Sequence, residues 1–308
     1  MRVEYRSLPP EVRAAAASRS GAAAVSAEDR AGGFSGGVAA RLALADGRRV
    51  FLKGCPEDHP IAAQYDVEAW FGTRMPDAFP APRLLASFDA AGWFVLLFED
   101  VFADVPGGEA DLSDPADLAA CRDLLTRLAS AEYPAAWSAR IPPAGVALGH
   151  LASGWARVAA EPPPGLDPWA AGRLGELRAL ERRWASAAEG EGPLHTDLHP
   201  GNVLVRGRAA REAVAVDWTR PARGAAWVDA LLFCLRDPGV TALPEWFLSD
   251  YDVPHEALCG LLAGAAGHWT DAARLAAPPY APGLRAYEAA RAAKALVWLR
   301  RAREDDGS

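Results

Sequence analysis

The feature that most constrains this chain is the stretch His195-Thr196-Asp197-Leu198-His199-Pro200-Gly201-Asn202-Val203-Leu204-Val205. It places a carboxylate and a carboxamide five residues apart in a polar loop, and an apolar strand follows at once. Such a loop can aim Asp197 at a hydroxyl proton and Asn202 at a metal ion, which is what phosphoryl transfer to an alcohol requires. The interpretation needs two further groups: a lysine that holds phosphates and a second carboxylate for the metal.

Composition limits the classes of protein to consider. With 308 residues, 51% of them hydrophobic, the chain can bury a core and has the length of roughly two domains. No apolar run reaches the ~18–20 residues of a membrane span, and the N-terminus has no signal pattern. Four scattered cysteines, without metal-binding spacing, are typical of reduced thiols. We therefore expect a cytoplasmic protein.

Charge bears on the partners. The net charge is -8, and the basic residues form no tract beyond Arg300-Arg301-Ala302-Arg303, so nucleic acid is not an expected partner. The acidity fits a cationic small substrate, and it fits a solvated surface equally well. The oligomeric state stays open.

Lysine is scarce in this chain, which contains only Lys53 and Lys294. Val38 to Leu44 is predicted to be a strand, residues 45–47 a hairpin turn, and residues 49–53 the returning strand, with Lys53 at its end. A chain so rich in arginine would keep a lysine where a compact ammonium is needed. The alternative is a surface lysine whose stem packs on apolar neighbours.

A glycine-rich loop, Ala31 to Gly37, precedes this hairpin. Backbone N–H groups in such a tip can approach phosphate oxygens closely, so Gly33, Ser35 and Gly36 are candidate phosphate-binding residues. The same letters match the G-x-S-x-G elbow of serine hydrolases. That elbow joins a strand to a helix, whereas a strand follows here, so a hydrolase is disfavoured.

A predicted helix from about residue 60 to 74, with Asp58 as its N-cap, follows the lysine. One of its faces carries three apolar side chains and one carboxylate: Ile61, Tyr65, Phe71 and Glu68. Burying a carboxylate is costly unless a cation meets it. Lys53 is the expected partner of Glu68.

Asp217 is the candidate for the second side chain that binds the metal ion. It follows a predicted strand at residues 213–216, which is expected to pair with the strand at 203–205 and so bring Asp217 alongside Asn202. Their oxygens suit Mg²⁺, which takes a few protein ligands together with phosphate and water. Taken singly, an Asp or Asn in a turn commonly caps its own backbone.

The remaining pattern separates a strand-rich first part from a helical second part. Two strands are predicted at 83–88 and 93–98, and the apolar run ends at residues 99–101. Helices are predicted at 118–131, 148–160, 168–188, 224–236, 255–268 and 283–303.

These motifs resemble the aminoglycoside phosphotransferase family, the small-molecule kinase branch of the protein-kinase-like fold. The resemblance is carried by His195-x-Asp197-x-x-x-x-Asn202, by Val216-Asp217-Trp218 and by Trp227-Val228-Asp229-Ala230-Leu231. It implies a bilobal α+β fold. An antiparallel-sheet N-lobe with one key helix would occupy residues 1–98, a hinge 99–102, and a mainly helical C-lobe 103–308.

The resemblance also implies residue roles. ATP would lie between the lobes with its adenine on the backbone from Glu99 to Val101. Asp197 would be the catalytic base, and Asn202 and Asp217 the Mg²⁺ ligands. The phosphates would be held by Lys53, itself paired with Glu68, and by the glycine loop. His195 and His199 would brace the loop. The family pattern commonly has glycine where this chain has Thr196, and Thr219 replaces the glycine of the protein-kinase branch.

The expected function is ATP- and Mg²⁺-dependent phosphoryl transfer to a hydroxyl of a small molecule, with an aminoglycoside-like antibiotic among the acceptors. The alternative is a nucleotide-binding pseudokinase on the same fold. A zinc site at His195 and His199 is disfavoured, because Pro200-Gly201 is hostile to a helix and no Glu follows the first histidine.

The sequence constrains the identity of the phosphate-accepting substrate less than it constrains the reaction. Four carboxylates of the second part are candidates for binding a polyamine or aminocyclitol, or are turn and cap residues: Asp250, Asp252, Glu256 and Asp271. Three tryptophans are candidates for stacking on a sugar, or fill the core: Trp246, Trp269 and Trp298.

Overall fold

A computed structural model of the chain describes residues 3–30, 37–102, 107–132, 137, 139–207, 210–279 and 281–305. The chain divides into two units, residues 1–127 with 201–220, and residues 128–200 with 221–308. The division crosses the polar loop between Pro200 and Gly201. These units are bounded differently from the expected lobes at 1–98 and 103–308, whose limits stay a prediction.

A five-stranded antiparallel sheet forms most of the first unit, with the strand order β1-β2-β3-β5-β4. Its strands are β1 (Ala24–Asp29), β2 (Val38–Leu44), β3 (Arg49–Pro56), β4 (Leu84–Ala90) and β5 (Trp93–Glu99). The predicted hairpin between β2 and β3 is confirmed: Gly47 turns the chain with φ of 88° and donates its N–H to the Leu44 carbonyl at 3.0 Å.

β5 is buried on both faces, which explains its unbroken apolar sequence. Val95 and Leu97 belong to one core cluster, whereas Leu96 and Phe98 belong to another. This alternation follows from the two-residue period of a strand. The first cluster is completed by α1 (Pro10–Ser20), a helix that the sequence did not predict, and the second by α2 (Ala62–Gly72).

The start of α2 differs from the prediction. Asp58 was expected to cap the helix, but Ile61 occupies the N-cap position without a side-chain cap. Turns at residues 56–61 separate Asp58 from the first helical residue, so Asp58 cannot cap the helix. His59 instead accepts the N–H of Ile61 on Nδ1 at 3.2 Å.

A three-stranded sheet, in the order β6-β8-β9, completes the strands of the first unit. It consists of β6 (Gly107–Glu109), β8 (Val203–Arg206) and β9 (Glu212–Ala215), and α3 (Pro115–Ser130) lies beside it. Arg127 of α3 donates from Nη2 to the Ala213 carbonyl at 2.7 Å. The predicted pairing of the strands after Asn202 and before Asp217 is confirmed, with Val203 opposite Ala215.

Helices dominate the described part of the second unit. They are α4 (Ala144–Ala147), α5 (Gly154–Ala160), α6 (Pro168–Ala171), α7 (Leu174–Leu180), α8 (Trp227–Arg236), α9 (Glu245–Asp250), α10 (His255–Ala273) and α11 (Leu284–Asp305). A two-stranded ribbon joins β7 (Gly192–Leu194) to β10 (Ala222–Gly224). In the described residues no helix is both long and apolar enough to span a membrane.

Two predicted long helices are wrong. The one at 148–160 is a 3-10 turn at Gly149–Ala152 followed by α5, because Ser153 leaves the helical region with φ of -144°. The one at 168–188 is divided into α6 and α7, with Gly172 as the C-cap of α6. The sequence pattern thus missed the breaks within both segments.

α5 and α10 cross with their backbones nearly touching. A Cβ added to Gly154 would lie 2.2 Å from the Gly267 carbonyl carbon, and one added to Gly267 would lie 2.6 Å from Cδ1 of Trp155. Trp155 is fully buried, and its indole donates to the Ala263 carbonyl at 2.7 Å. The two glycines are therefore required by packing.

Gly267→Ala is expected to destabilise the protein by about 1–3 kcal/mol, because the added methyl overpacks a buried contact. Gly175→Ala is the matched control: it is also helical, has no heavy atom within 4 Å of the added Cβ, and should be neutral or stabilising by up to about 1 kcal/mol. Calorimetric unfolding measures both changes. An unchanged midpoint for Gly267→Ala would show that the helices can separate at no cost.

Candidate active site

Lys53 joins three segments of the first unit at one point. Its ammonium contacts the Glu68 carboxylate of α2 and lies 2.7 Å from Oδ1 of Asp217. It also faces the rings of Tyr65 and Phe98, with Nζ 4.9 Å and 5.7 Å from their centroids. Lys53 is only 7% exposed and Glu68 only 2%, so the predicted contact between them is a buried ion pair. The surface-lysine alternative is excluded.

The charges in this group are unequal, since two carboxylates share one ammonium. Burial alone would lower the pKa of Lys53, but the carboxylates of Asp217 and Glu68 outweigh it and raise that pKa. Burial raises the pKa of Glu68 against the attraction of Lys53, and the charge of Asp217 adds to the increase. Lys53 is therefore fully charged at neutral pH, and the carboxylates outnumber the ammonium when both are ionised.

An aromatic cluster connects α2 to the segment that carries Asp217. The rings of Phe71 and Trp218 are stacked with centroids 5.0 Å apart, and the Phe79 ring packs edge-on against Trp218 at 5.1 Å. The Trp218 indole donates to the Ala215 carbonyl at 3.0 Å. Sequence reasoning missed this cluster, although Trp218 directly follows Asp217 and Phe71 shares the face of Glu68.

Asn202 and Asp217 lie at one end of the β8–β9 pair. Val216 donates its N–H to the Asn202 carbonyl at 2.9 Å, which continues the ladder by one step and sets Asp217 next to it. Asp217 has φ of 70°, a left-handed conformation that its short polar side chain tolerates. Its side chain is 45% exposed even though it contacts Lys53.

The chemistry of these donors fits Mg²⁺. Both side chains present oxygen, the ligand type that a hard divalent cation prefers. Among the described residues no group of three or more His, Cys, Asp and Glu side chains is arranged to hold a metal. An ion at Asn202 and Asp217 would thus take most of its ligands from phosphate and water, as Mg²⁺ commonly does.

The segment from Glu99 to Val101 is held by an ion pair that the sequence did not predict. Arg41 of β2 donates to Asp100 with its Nε at 3.0 Å and its Nη2 at 2.9 Å, both to Oδ2. Asp100 is buried and also accepts the N–H of Phe102 at 3.0 Å. This two-point contact fixes the chain directly after β5.

The glycine-rich loop, a candidate for phosphate binding, is described only at its end. Gly33, Ser35 and Gly36 lie outside the described residues, so their role stays a prediction. Gly37 is described, and a Cβ there would lie 2.1 Å from the Gly54 carbonyl oxygen. Close approach of β2 to β3 therefore requires glycine at Gly37.

The part of the polar loop that contains Asp197 belongs to the second unit. Thr196 has φ of 62°, which costs a β-branched residue roughly 1–2 kcal/mol. Asp229, in the first turn of α8, holds it there: its carboxylate accepts the N–H of His195 at 2.5 Å and of Thr196 at 2.9 Å. Burial raises the pKa of Asp229.

Arg236, the last residue of α8, holds the same loop from the other side. Its Nη1 donates to the carbonyls of Thr196 at 3.1 Å and Leu198 at 3.2 Å, and its Nη2 lies 3.5 Å from Oδ1 of Asp197. Sequence reasoning missed Arg236. The available signal was an arginine at the end of a helix whose only other charged residue is Asp229.

The surroundings of His195 and His199 indicate that these two histidines support the loop. His195 is fully buried and accepts the Asp197 N–H on Nδ1 at 3.3 Å. Burial lowers the pKa of His199 to about 4, against the opposing charge of Asp197. His199 is therefore neutral at physiological pH, which agrees with the expected role of supporting the loop.

Two of the four candidate acceptor carboxylates are neutralised by arginines. Asp271 contacts Arg157 and lies 2.8 Å from Nη2 of Arg274, and Glu256 lies 2.8 Å from Nη1 of Arg183. Two candidate tryptophans are in the core: Trp269 is 7% and Trp298 2% exposed.

The profile of the APH phosphotransferase enzyme family matches residues 30–257. The chain belongs to this family. It is a small-molecule phosphotransferase, an enzyme with an alcohol group as acceptor. No curated protein matches it in sequence.

Solved structures place the phosphotransferase in the predicted fold. It is similar to an aminoglycoside phosphotransferase from Alicyclobacillus acidocaldarius, with 16% identity, 98% of both chains covered and a TM-score of 0.57. A spectinomycin phosphotransferase solved with ADP and spectinomycin has 12% identity over 90% of this chain and 94% of its own, with a TM-score of 0.55. A choline kinase from Streptococcus pneumoniae has 15% identity over 89% of this chain and 94% of its own, with a TM-score of 0.54. The protein-kinase-like α+β fold is confirmed.

The neutral His199 predicts a pH dependence of stability. The unfolded chain protonates a histidine near pH 6.5, whereas the folded phosphotransferase keeps His199 neutral to about pH 4. Stability is therefore lost as pH falls from about 6.5 towards 4. The loss should be smaller in His199→Asn, though not abolished, because the pKa of His268 is also lowered to about 4 by burial.

Urea unfolding of both proteins at pH 7 and at pH 4.5 measures this difference. His59→Asn, in the first unit, controls for the removal of a histidine as such. Equal acid-induced losses in the wild type and His199→Asn would contradict the assignment of a buried, neutral imidazole.

Proposed function

We propose that the phosphotransferase uses ATP with Mg²⁺ and transfers the γ-phosphate to a hydroxyl of a small molecule. The observation that carries the proposal is the buried Lys53 ammonium held between Glu68 and Asp217. A fixed, fully charged ammonium beside a partly exposed carboxylate suits a phosphate-binding group next to a metal ligand.

Lys53 would bind nucleotide phosphates, with Glu68 fixing the direction of its side chain. Gly33, Ser35 and Gly36 would donate backbone N–H groups to the same phosphates. The backbone from Glu99 to Val101 would receive the adenine, and this segment is kept in place by the Arg41–Asp100 ion pair.

Asn202 and Asp217 would hold Mg²⁺. When bound, the ion neutralises charge on the phosphates and on the transferred group. The excess negative charge of the Lys53 group supports this role, because a cation at Asp217 would offset it.

Asp197 would act as the base. The acceptor hydroxyl passes its proton to the Asp197 carboxylate while its oxygen forms the new bond to the γ-phosphorus, and the bond from that phosphorus to the β-phosphate oxygen breaks to release ADP. The partial exposure of Asp197, whose side chain is 45% accessible, supports contact with a substrate. A position in the cytoplasm, where ATP is available, follows from this reaction.

An aminoglycoside-like antibiotic is the acceptor we propose first, since two of the similar structures are phosphotransferases of such compounds. The carboxylates proposed for an amine-bearing acceptor are Asp250, Asp252, Glu256 and Asp271, of which Glu256 and Asp271 are paired with arginines. A choline-like alcohol is the second class to test, given the similarity to a choline kinase.

A screen of nucleotide consumption tests the proposal. Purified protein with Mg²⁺ and either ATP or GTP is offered aminoglycosides, spectinomycin, choline, ethanolamine, peptide antibiotics and simple sugars, and the product is checked by mass spectrometry for one added phosphate. Binding of Mg²⁺–ATP without transfer to any acceptor or to water would favour the nucleotide-binding pseudokinase.

Asp197→Ala should lower turnover by roughly 10²–10⁴-fold, the usual effect of removing a positioned acid or base. ATP affinity, measured by calorimetric titration, should stay within about twofold, because Asp197 is not proposed to touch the nucleotide. Asp89→Ala, an exposed carboxylate of the first unit, is the control. Near-wild-type turnover in Asp197→Ala would refute the role of Asp197.

Lys53→Arg should lose activity almost as fully as Lys53→Met. The larger planar guanidinium does not fit the buried space between two carboxylates and two aromatic rings, although it keeps the charge. Steady-state turnover and ATP affinity of the two variants are compared, with unfolding midpoints to verify folding. Retention of more than about half of the activity by Lys53→Arg would mean that charge alone suffices.

A further inference from the structure

The peptide groups around Thr196 are held by side chains from both ends of α8. Asp229, in the first turn, accepts the N–H groups of His195 and Thr196, whereas Arg236, the last residue, donates to the carbonyls of Thr196 and Leu198. Asp229 and Arg236 are seven positions apart, which corresponds to about 10 Å of helix. A single rigid element therefore sets the backbone on both sides of Asp197.

We propose that Arg236 is a positioning residue for Asp197, acting through the backbone of Thr196 and Leu198. The inference rests on the proposed function in one respect, the role of Asp197 as base. Arg236 is not assigned a contact with substrate.

The conformation of Thr196 explains why the loop needs this support. A threonine at φ of 62° is in a region that β-branched residues avoid, so the loop without external bonds would relax to another conformation. Asp229 accepts hydrogen bonds from the N–H groups of His195 and Thr196. Arg236 binds the carbonyl of Thr196 itself, and therefore opposes rotation of the peptide that leads directly to Asp197.

The guanidinium is suited to this role by shape. One nitrogen serves two carbonyls while the other faces Asp197, which a single ammonium cannot do with the same geometry. Arg236 is largely buried, with its side chain 14% exposed. Its own carbonyl accepts a hydrogen bond from Nη2 of Arg291 in α11 at 2.6 Å, so its backbone is fixed as well.

The test is second-site rescue. Arg236→Met should lower turnover by roughly 10–100-fold, the effect of about 1 Å of misplacement at a reacting group, with ATP affinity unchanged. Thr196→Gly alone should be close to wild type, since glycine adopts positive φ without strain. The double variant Arg236→Met/Thr196→Gly should regain roughly tenfold over Arg236→Met, because glycine no longer needs to be held.

Turnover is measured with the acceptor found in the screen, or as ATP hydrolysis, and unfolding midpoints are recorded for every variant. Arg183→Met, which removes an exposed ion pair of the same unit, controls for loss of an arginine. Arg236→Lys is the milder replacement if Arg236→Met does not fold, and it should fall between wild type and Arg236→Met, with the same rescue by Thr196→Gly.

Absence of rescue by Thr196→Gly, or wild-type turnover in Arg236→Met, would overturn the inference. Asp197→Ala, assayed in parallel, separates the two proposals. If Asp197→Ala is inactive while Arg236→Met is fully active, only the positioning role fails. If Asp197→Ala is active, the proposed mechanism itself is wrong.

Discussion

The buried ammonium of Lys53 is the interaction on which the candidate nucleotide site depends. It draws together β3, α2 and the residue after β9, and Lys53 and Asp217 are separated by 164 residues in sequence. Removing one partner of a buried ion pair typically costs 3–5 kcal/mol. The three segments are consequently held together by the ion pairs of Lys53, and the stack of Phe71 on Trp218 adds an apolar contact between α2 and the segment after β9.

This ion group is also unbalanced, which links its stability to its chemistry. Two carboxylates face one ammonium, and the pKa of Glu68 is raised chiefly by burial, with a further contribution from the charge of Asp217. Glu68 is buried, whereas Asp217 is nearly half exposed. Asp217 is therefore the carboxylate that a further cation can reach, and a divalent ion bound there would stabilise the Lys53 group. In the second unit, the single helix α8 also serves two purposes: side chains at both of its ends fix the strained backbone before Asp197.

The sequence predicted the features that are local. The β2–β3 hairpin, the pairing of the strands around residues 202–217 and the face of α2 that buries Glu68 follow from turn residues and periodicity. The failures have local causes too: Asp58 resembles an N-cap, and the 148–160 segment keeps helical spacing across a break at Ser153. The partners of Arg41 and Arg236 were unpredictable for another reason. An arginine can satisfy a carboxylate or a carbonyl anywhere within reach, and nothing in its neighbourhood along the chain specifies which.

The scarcity of lysine gains a physical explanation from both of its positions. Lys53 lies in a buried space between two carboxylates and two rings, where its acceptors converge on one nitrogen. Lys294 of α11 donates to the carbonyls of Cys234 and Asp237, at the end of α8, with 2.7 Å and 2.5 Å between heavy atoms. A compact ammonium with freely directed donors suits such converging acceptors. Where acceptors are spread apart instead, as around Arg236, the chain uses the wider fork of arginine. The two lysines thus lie where converging acceptors favour a small cation, one at the candidate phosphate site and one at the end of α8, the helix that holds the backbone around Asp197.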